Sequence, residues 1–287
     1  YTNWILSKGI LRMKTLYITD LDGTFLNENG VVSEKSRQIV NRLSKKGMLF
    51  SVATARSILT ARELLAGLQI NAPIVLMNGV FLFDLNKNKV VSFHEISHAA
   101  FTEIVAAFER NGKSPMLWLY GDDGLLSVQY TQLELQVNRD FYESRKDSFG
   151  GRFYKTEVLS VPKGQHAVYI NLVDTFDALQ PIAEALKAVT GAAFAFYRDT
   201  YTDYWFLEVY SADASKANGA KEIQNTVHAD RITAFGDNLN DLTLFSVADE
   251  KYAVENAVAA LKTQADAVIE SNRTDGVAKF LLQDFTI

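Results

Sequence analysis

Four short apolar runs along the chain each end in a cluster of polar residues, and between them the apolar positions fall into helical spacing. Leu16-Tyr17-Ile18-Thr19 leads into Asp20-Leu21-Asp22-Gly23-Thr24, and Met48-Leu49-Phe50-Ser51-Val52-Ala53 leads into Thr54-Ala55-Arg56. Ile74-Val75-Leu76-Met77 leads into Asn78-Gly79, and Ile232-Thr233-Ala234-Phe235 into Gly236-Asp237-Asn238-Leu239-Asn240-Asp241. Between the first two runs, Ser33 is a helix N-cap, Ile39, Val40 and Leu43 form an inner face, and Gly47 is the stop. After the second, Leu59, Leu64, Leu65 and Leu68 predict another helix. Near-continuous apolar strands alternating with helices predict a parallel sheet covered on both faces. Ligands in such sheets bind beyond the carboxyl ends of the strands, so the polar clusters predict one composite site fed by distant segments.

The middle of the chain follows a different pattern. Asp84-Leu85-Asn86-Lys87-Asn88-Lys89 and Gly121-Asp122-Asp123-Gly124 are turns of hairpin type. Helical patterns run from Phe101 to Arg110 and from Phe176 to Val189, beside aromatic-rich strands at Ala193–Tyr197 and Tyr204–Val209. These features predict an α+β domain over residues 84–207, inserted into a parallel-sheet domain made of 13–83 and 208–287, with 1–12 as an N-terminal extension. Tyr197, Tyr201, Tyr204, Trp205 and Phe206 read mainly as core, while Arg198, Asp199, Asp203 and the histidines read as ordinary surface residues.

Composition narrows the chemistry. The 287 residues are 48% apolar and 22% charged, enough for one or two domains with a substantial core. The net charge of −5 comes from scattered residues with no basic block, which weighs against a nucleic-acid partner. No apolar run reaches the roughly 20 residues that span a bilayer, and residues 1–12 lack the order of a signal peptide, so the expected location is cytoplasmic without membrane association. Oligomeric state is not legible. With no cysteine, and with His94, His98, His166 and His228 lacking ligand-like spacing, a hard, oxygen-ligated cation is the expected metal.

Two acids two residues apart at a strand end, before a glycine, are either a turn or a site. The other strand ends favour a site. Phosphoryl transfer through a carboxylate needs a nucleophile, an acid/base, a divalent cation and donors for the transferring group. Asp20 and Asp22 can supply the first two, Asp237 and Asp241 more oxygen ligands for Mg²⁺, and Thr54, Lys216 and Asn240 the donors.

In these motifs the sequence resembles the haloacid-dehalogenase (HAD) superfamily of phosphohydrolases, in its Cof-like branch with an inserted α/β cap. D-x-D-G-T is matched by Asp20, Asp22, Gly23 and Thr24, the strand ending in Thr by Thr54, the helix-start Lys by Lys216, and G-D-x-x-N-D by Gly236, Asp237, Asn240 and Asp241. Ala55 stands where the branch usually has Gly, a change that costs little if its φ is negative. Smaller signatures are Met77-Asn78-Gly79, Val254-Glu255-Asn256-Ala257, and Ser271-Asn272 before Asp275-Gly276-Val277-Ala278. The resemblance implies an α/β fold, a Rossmann-like parallel-sheet core with an inserted α+β cap. It implies Asp20 as nucleophile forming an aspartyl-phosphate and Asp22 as acid, then base. Mg²⁺ would be held by Asp20, the Asp22 main-chain carbonyl and Asp237, with Asp241 acting mostly through waters or through hydrogen bonds to the groups that hold the ion. Thr54, Lys216 and Asn240 would hold the phosphoryl oxygens, and Asn78 and Asn272 would have structural or outer-shell roles. The expected function is a Mg²⁺-dependent phosphatase of a small phosphorylated metabolite, a sugar phosphate first. The alternatives are a sugar phosphomutase and a non-catalytic regulatory or ligand-binding member of the fold.

Overall fold

The computed structural model describes residues 13–147, 149–199 and 202–285. The extension expected over 1–12, and Tyr201 of the aromatic group, lie outside the described residues. In chain order the first elements are β1 (Thr15–Thr19), α1 (Glu34–Lys45), β2 (Leu49–Val52), α2 (Ile58–Leu64), β3 (Ile74–Leu76), β4 (Phe81–Asp84) and β5 (Lys89–Phe93). There follow α3 (His98–Arg110), β6 (Met116–Gly121), β7 (Leu126–Tyr130), α4 (Gln136–Glu143), β8 (Phe153–Lys155), β9 (Gln165–Asp174), α5 (Phe176–Leu186), β10 (Ala192–Arg198) and β11 (Trp205–Ser211). The chain continues through α6 (Lys216–Val227), β12 (Arg231–Gly236), α7 (Leu242–Phe245), β13 (Glu250–Val254), α8 (Ala259–Lys262), β14 (Ala267–Ile269) and α9 (Gly276–Asp284). These elements form two compact units, one from the described residues up to Ala53, Leu65–Ile74 and Ala220 onward, the other from Thr54–Leu64 and Val75–Gly219.

The first unit holds the parallel sheet, in the order β14-β13-β12-β1-β2. Its register sets Thr19 beside Phe235 on one side and Val52 on the other. Leu16 and Ile18 of β1 are fully buried, the expected state of a strand covered on both faces. Ser33 caps α1 as predicted, its hydroxyl accepting from the Ser36 N–H at 3.0 Å, and Ile39, Val40 and Leu43 form the buried face. One predicted strand goes elsewhere: β3 belongs to a separate three-stranded sheet, β3-β4-β5, and the parallel sheet is completed by β13 and β14 instead. The reason lies just after β3, where Met77, Asn78 and Gly79 all take positive φ (49°, 56° and 107°) and redirect the chain into the β4–β5 hairpin. The second predicted helix also stops early. It ends at Leu64, and Leu65 and Leu68 are buried from a turn that passes through Gly67 at φ +77°.

In the second unit a six-stranded sheet runs β10-β11-β9-β6-β7-β8. Helices α3 and α5 cover one face, packing Phe101, Ile104, Phe108, Leu179 and Ile182 on Leu117, Ile170 and Leu207. Both predicted hairpin turns are present, between β4 and β5 and between β6 and β7. The longest strand, β9, has no counterpart among the expected elements. It is buried on both faces over eight of its ten residues, so it lacks the alternation that marks a half-exposed strand. Trp205 and Phe196 join the helix-facing core, whereas Tyr197 stacks on Phe206, with rings 5.5 Å apart, and remains 42% exposed. Among the described residues no helix is long and apolar enough to cross a membrane.

His166, expected to be an ordinary surface residue, ties three segments of this unit together. Its Nδ1 lies 2.6 Å from Glu95 before α3, and its Nε2 lies 3.2 Å from Asp122 in the β6–β7 turn. Only the imidazolium can donate at both nitrogens. The Glu95 contact pushes the imidazole pKa above its ordinary 6.5, partial burial opposes this, and Asp122 adds to the rise. A raised folded-state value means that the contribution to stability is fully present below the unfolded pKa and is lost as pH climbs through the folded one. An NMR titration should therefore find the His166 midpoint above that of an unperturbed imidazole. Glu95→Gln should bring it back toward about 6.5 and flatten the decline in melting temperature from about pH 5.5 to about pH 8.5.

Candidate functional site

The parallel register brings the ends of β1 and β12 side by side, and with them their acids. Asp20 follows Thr19, its N–H donating to the Phe235 carbonyl at 3.0 Å, and Asp237 follows the last residue of β12. Asp20, Asp237 and Asp241 each present a carboxylate oxygen, and the three oxygens lie within 4.8 Å of one another. Asp20 and Asp241 are buried and Asp237 is half-buried. All three donors are hard anionic oxygens, and among the described residues no other group of carboxylates or imidazoles is arranged this way. The cluster fits a small divalent cation of the Mg²⁺ type.

Local contacts hold each acid in place. The chain turns tightly after Asp20, closed by the Leu26 N–H on the Leu21 carbonyl at 2.9 Å. Gly23 sits in this turn at φ +78°, and a Cβ there would fall 2.4 Å from Asp237 Oδ2. The close approach of backbone to carboxylate thus requires glycine for both space and conformation. Thr24 donates its hydroxyl to Asp237 Oδ1 at 3.0 Å. Asp241 Oδ2 accepts from the Asp237 and Asn238 N–H groups at 2.9 and 3.1 Å, tying the G-D-x-x-N-D loop back on itself. Asp22 is exposed on the turn, its carboxylate outside the cluster, and Asn240 is exposed one residue before Asp241.

Two asparagines brace the turn from behind. Asn256 Nδ2 donates to the Gly23 carbonyl at 2.7 Å, while its Oδ1 accepts from the Asn272 N–H at 3.1 Å. Asn272 Nδ2 in turn donates to the Leu26 carbonyl at 2.8 Å. The bracing role of Asn256 was not anticipated. Its only signal was membership of the Val254-Glu255-Asn256-Ala257 signature.

Thr54 and Lys216 belong to the second unit, where one short segment links them. Thr54 donates its N–H to the Val75 carbonyl at 3.0 Å and accepts the Asn78 N–H at its own carbonyl at 3.0 Å. Its hydroxyl accepts from the Arg56 N–H at 3.1 Å. Ala55 is not among the residues with positive φ, so the position needs no glycine. Gly79, at φ +107°, presses on the backbone just before Lys216: a Cβ there would lie 2.3 Å from the Ser215 nitrogen. At the first residue of α6, Lys216 is 98% buried. Tyr210 is near enough to feel its charge: burial pushes the phenol up to about 12 and Glu208 adds to the rise, while Lys216 pulls it back. The Asn78 Oδ1 is buried and, among the described residues, has no hydrogen-bond partner.

The chain is similar to curated phosphatases and to solved structures over nearly its whole length. The 5-amino-6-(5-phospho-D-ribitylamino)uracil phosphatase YwtE of Bacillus subtilis is 28% identical over 94% of this chain and 98% of its own length. A second Bacillus subtilis phosphatase of the same description, YcsE, is 23% identical over 92% and 93% of the two chains. A haloacid dehalogenase-like hydrolase from Bacteroides thetaiotaomicron superposes with a TM-score of 0.72 at 20% identity, covering 94% of this chain and 99% of its own. TM0651 from Thermotoga maritima gives 0.70 at 22% identity, over 95% and 97%. The family model of the haloacid dehalogenase-like hydrolases matches residues 17–281, and the chain belongs to that family.

Proposed function

We propose that this hydrolase is a Mg²⁺-dependent phosphatase acting on a small phosphorylated metabolite through an aspartyl-phosphate on Asp20. The observation that carries the reading is the cluster of Asp20, Asp237 and Asp241 at the carboxyl ends of adjacent parallel strands. A binding module has no need of three buried or half-buried acids beside a fourth, exposed one at Asp22. An Asp20 oxygen attacks phosphorus, the bond from phosphorus to the leaving oxygen breaks, and Asp22 protonates that oxygen. Asp22 then takes a proton from water as the water oxygen attacks phosphorus, and the bond to Asp20 breaks to free inorganic phosphate. Thr54, Lys216 and Asn240 bind the phosphoryl oxygens. Asp20, Asp237 and the Asp22 main-chain carbonyl would hold Mg²⁺, with Asp241 fixing the loop that carries Asp237. When bound, Mg²⁺ offsets the repulsion between these carboxylates and an anionic substrate.

The inserted segment 84–207 contributes none of the four motifs, and we assign substrate choice to it. A polyol or sugar phosphate is the favoured class. The ribityl phosphate named for the two Bacillus subtilis relatives is one such compound and belongs in the first screen.

Two expectations follow for phosphate release. Asp20→Asn should remove turnover while leaving the fold intact, and Asp22→Asn should lower kcat by roughly 10²–10⁴; near wild-type turnover by folded Asp20→Asn protein would sink the mechanism. For the metal, chelation should abolish activity, Mg²⁺ should restore it, and Ca²⁺ should inhibit through its looser, higher coordination. Gly23→Ala, which drives a methyl group into Asp237, should weaken Mg²⁺ activation with no change in the far-ultraviolet spectrum. Activity that survives thorough chelation would rule the metal out.

A further inference from the structure

We propose that the second unit carries a separate binding site for a flat aromatic anion, in a cavity that contains none of the candidate catalytic residues. The cavity has a volume of about 260 Å³ and lies between α2, the β3-β4-β5 sheet and the β6–β7 hairpin. Its floor is apolar: Leu76, Phe81, Phe83 and Phe149 line it, and each is at least nine-tenths buried. An apolar cavity of about 150 Å³ accepts benzene. This volume therefore admits a bicyclic ring, and aromatic walls favour a flat occupant through stacked or edge-to-face contact.

The polar lining selects the charge. Arg62 and Arg152 both line the cavity, and among the described residues no carboxylate does. Among the described residues neither guanidinium has a carboxylate partner, whereas Arg37, Arg198, Arg231 and Arg273 each do. Each is oriented by a single neutral acceptor. Arg62 donates Nη2 to Asn88 Oδ1 and stands 5.8 Å from the centre of the Phe83 ring, and Arg152 donates Nε to the Leu126 carbonyl at 3.0 Å. A guanidinium has five N–H donors, so each keeps several for a ligand. A carboxylate, sulfonate or phosphate on an aromatic ring would place its ring against the phenylalanines and its oxygens on the arginines, in charge-assisted hydrogen bonds. Neither a purely apolar ligand nor a small inorganic anion would satisfy both halves of the cavity.

The assignment is independent of the phosphatase reading, and so is its test. The full-length chain is titrated by calorimetry with 2-naphthoate and, separately, with uncharged 2-naphthylmethanol. We expect saturable 1:1 binding of naphthoate, at least about tenfold tighter than the alcohol, the difference expected of one charge-assisted hydrogen bond. The double variant Arg62→Gln, Arg152→Gln should lose this preference while retaining the alcohol's affinity. Val90→Trp, which fills the cavity from β5, should abolish binding of both, with melting temperatures confirming that each variant is folded. Equal affinity for the two probes, no saturable binding, or naphthoate binding that survives both sets of substitutions would overturn the proposal.

Discussion

Everything at the candidate site depends on holding like charges together. Three carboxylate oxygens within 4.8 Å of one another repel, and for a partly buried pair at that distance the Coulomb energy is about 3–4 kcal/mol at an effective dielectric constant of about 20. The fold meets this with donors aimed at the acids. The Asp237 and Asn238 N–H groups point at Asp241, and the Thr24 hydroxyl points at Asp237. It also commits backbone to the purpose, since the turn at Gly23 fits against Asp237 only without a side chain. A cation placed among these oxygens would add an attraction to each of the three carboxylates, on top of what the donors of the fold supply.

A similar economy of space organises the second unit. The segment Val75–Gly79 bonds Thr54 through two main-chain groups and, at Gly79, abuts the backbone that starts α6 and carries Lys216. One short stretch of positive φ therefore sets the positions of two candidate phosphate donors that are 162 residues apart in sequence. The Met77-Asn78-Gly79 signature acquires a physical meaning here. It is the turn that lets β3 end, the hairpin begin and α6 dock in the same small volume.

The sequence was most legible where local chemistry and long-range placement agree. Apolar runs ending in Asp20, Thr54 and Asp237 read directly as strands with polar ends, because the change from apolar to polar residues is local and marks where each strand stops. Ser33 and the two hairpin turns were equally plain, since caps and turns are local. Three features were hidden for physical reasons. β9 is covered on both faces and shows no alternation; the sheet to which β3 belongs is decided by backbone conformation after its last residue; and Asn256 acts through a main-chain carbonyl 233 residues away. His166 was read as surface because the two acids that bracket it come from separate segments.

The central claim is that Asp20 becomes covalently phosphorylated, and the most direct measurement is mass spectrometry of protein quenched in acid during turnover of an activated aryl phosphate. The account predicts one phosphoryl group on the peptide containing Asp20, formed in the presence of Mg²⁺, accumulating further in Asp22→Asn protein and absent from Asp20→Asn. Phosphate release with no phosphoryl group on that peptide at any quench time, or with the group on another residue, would contradict it.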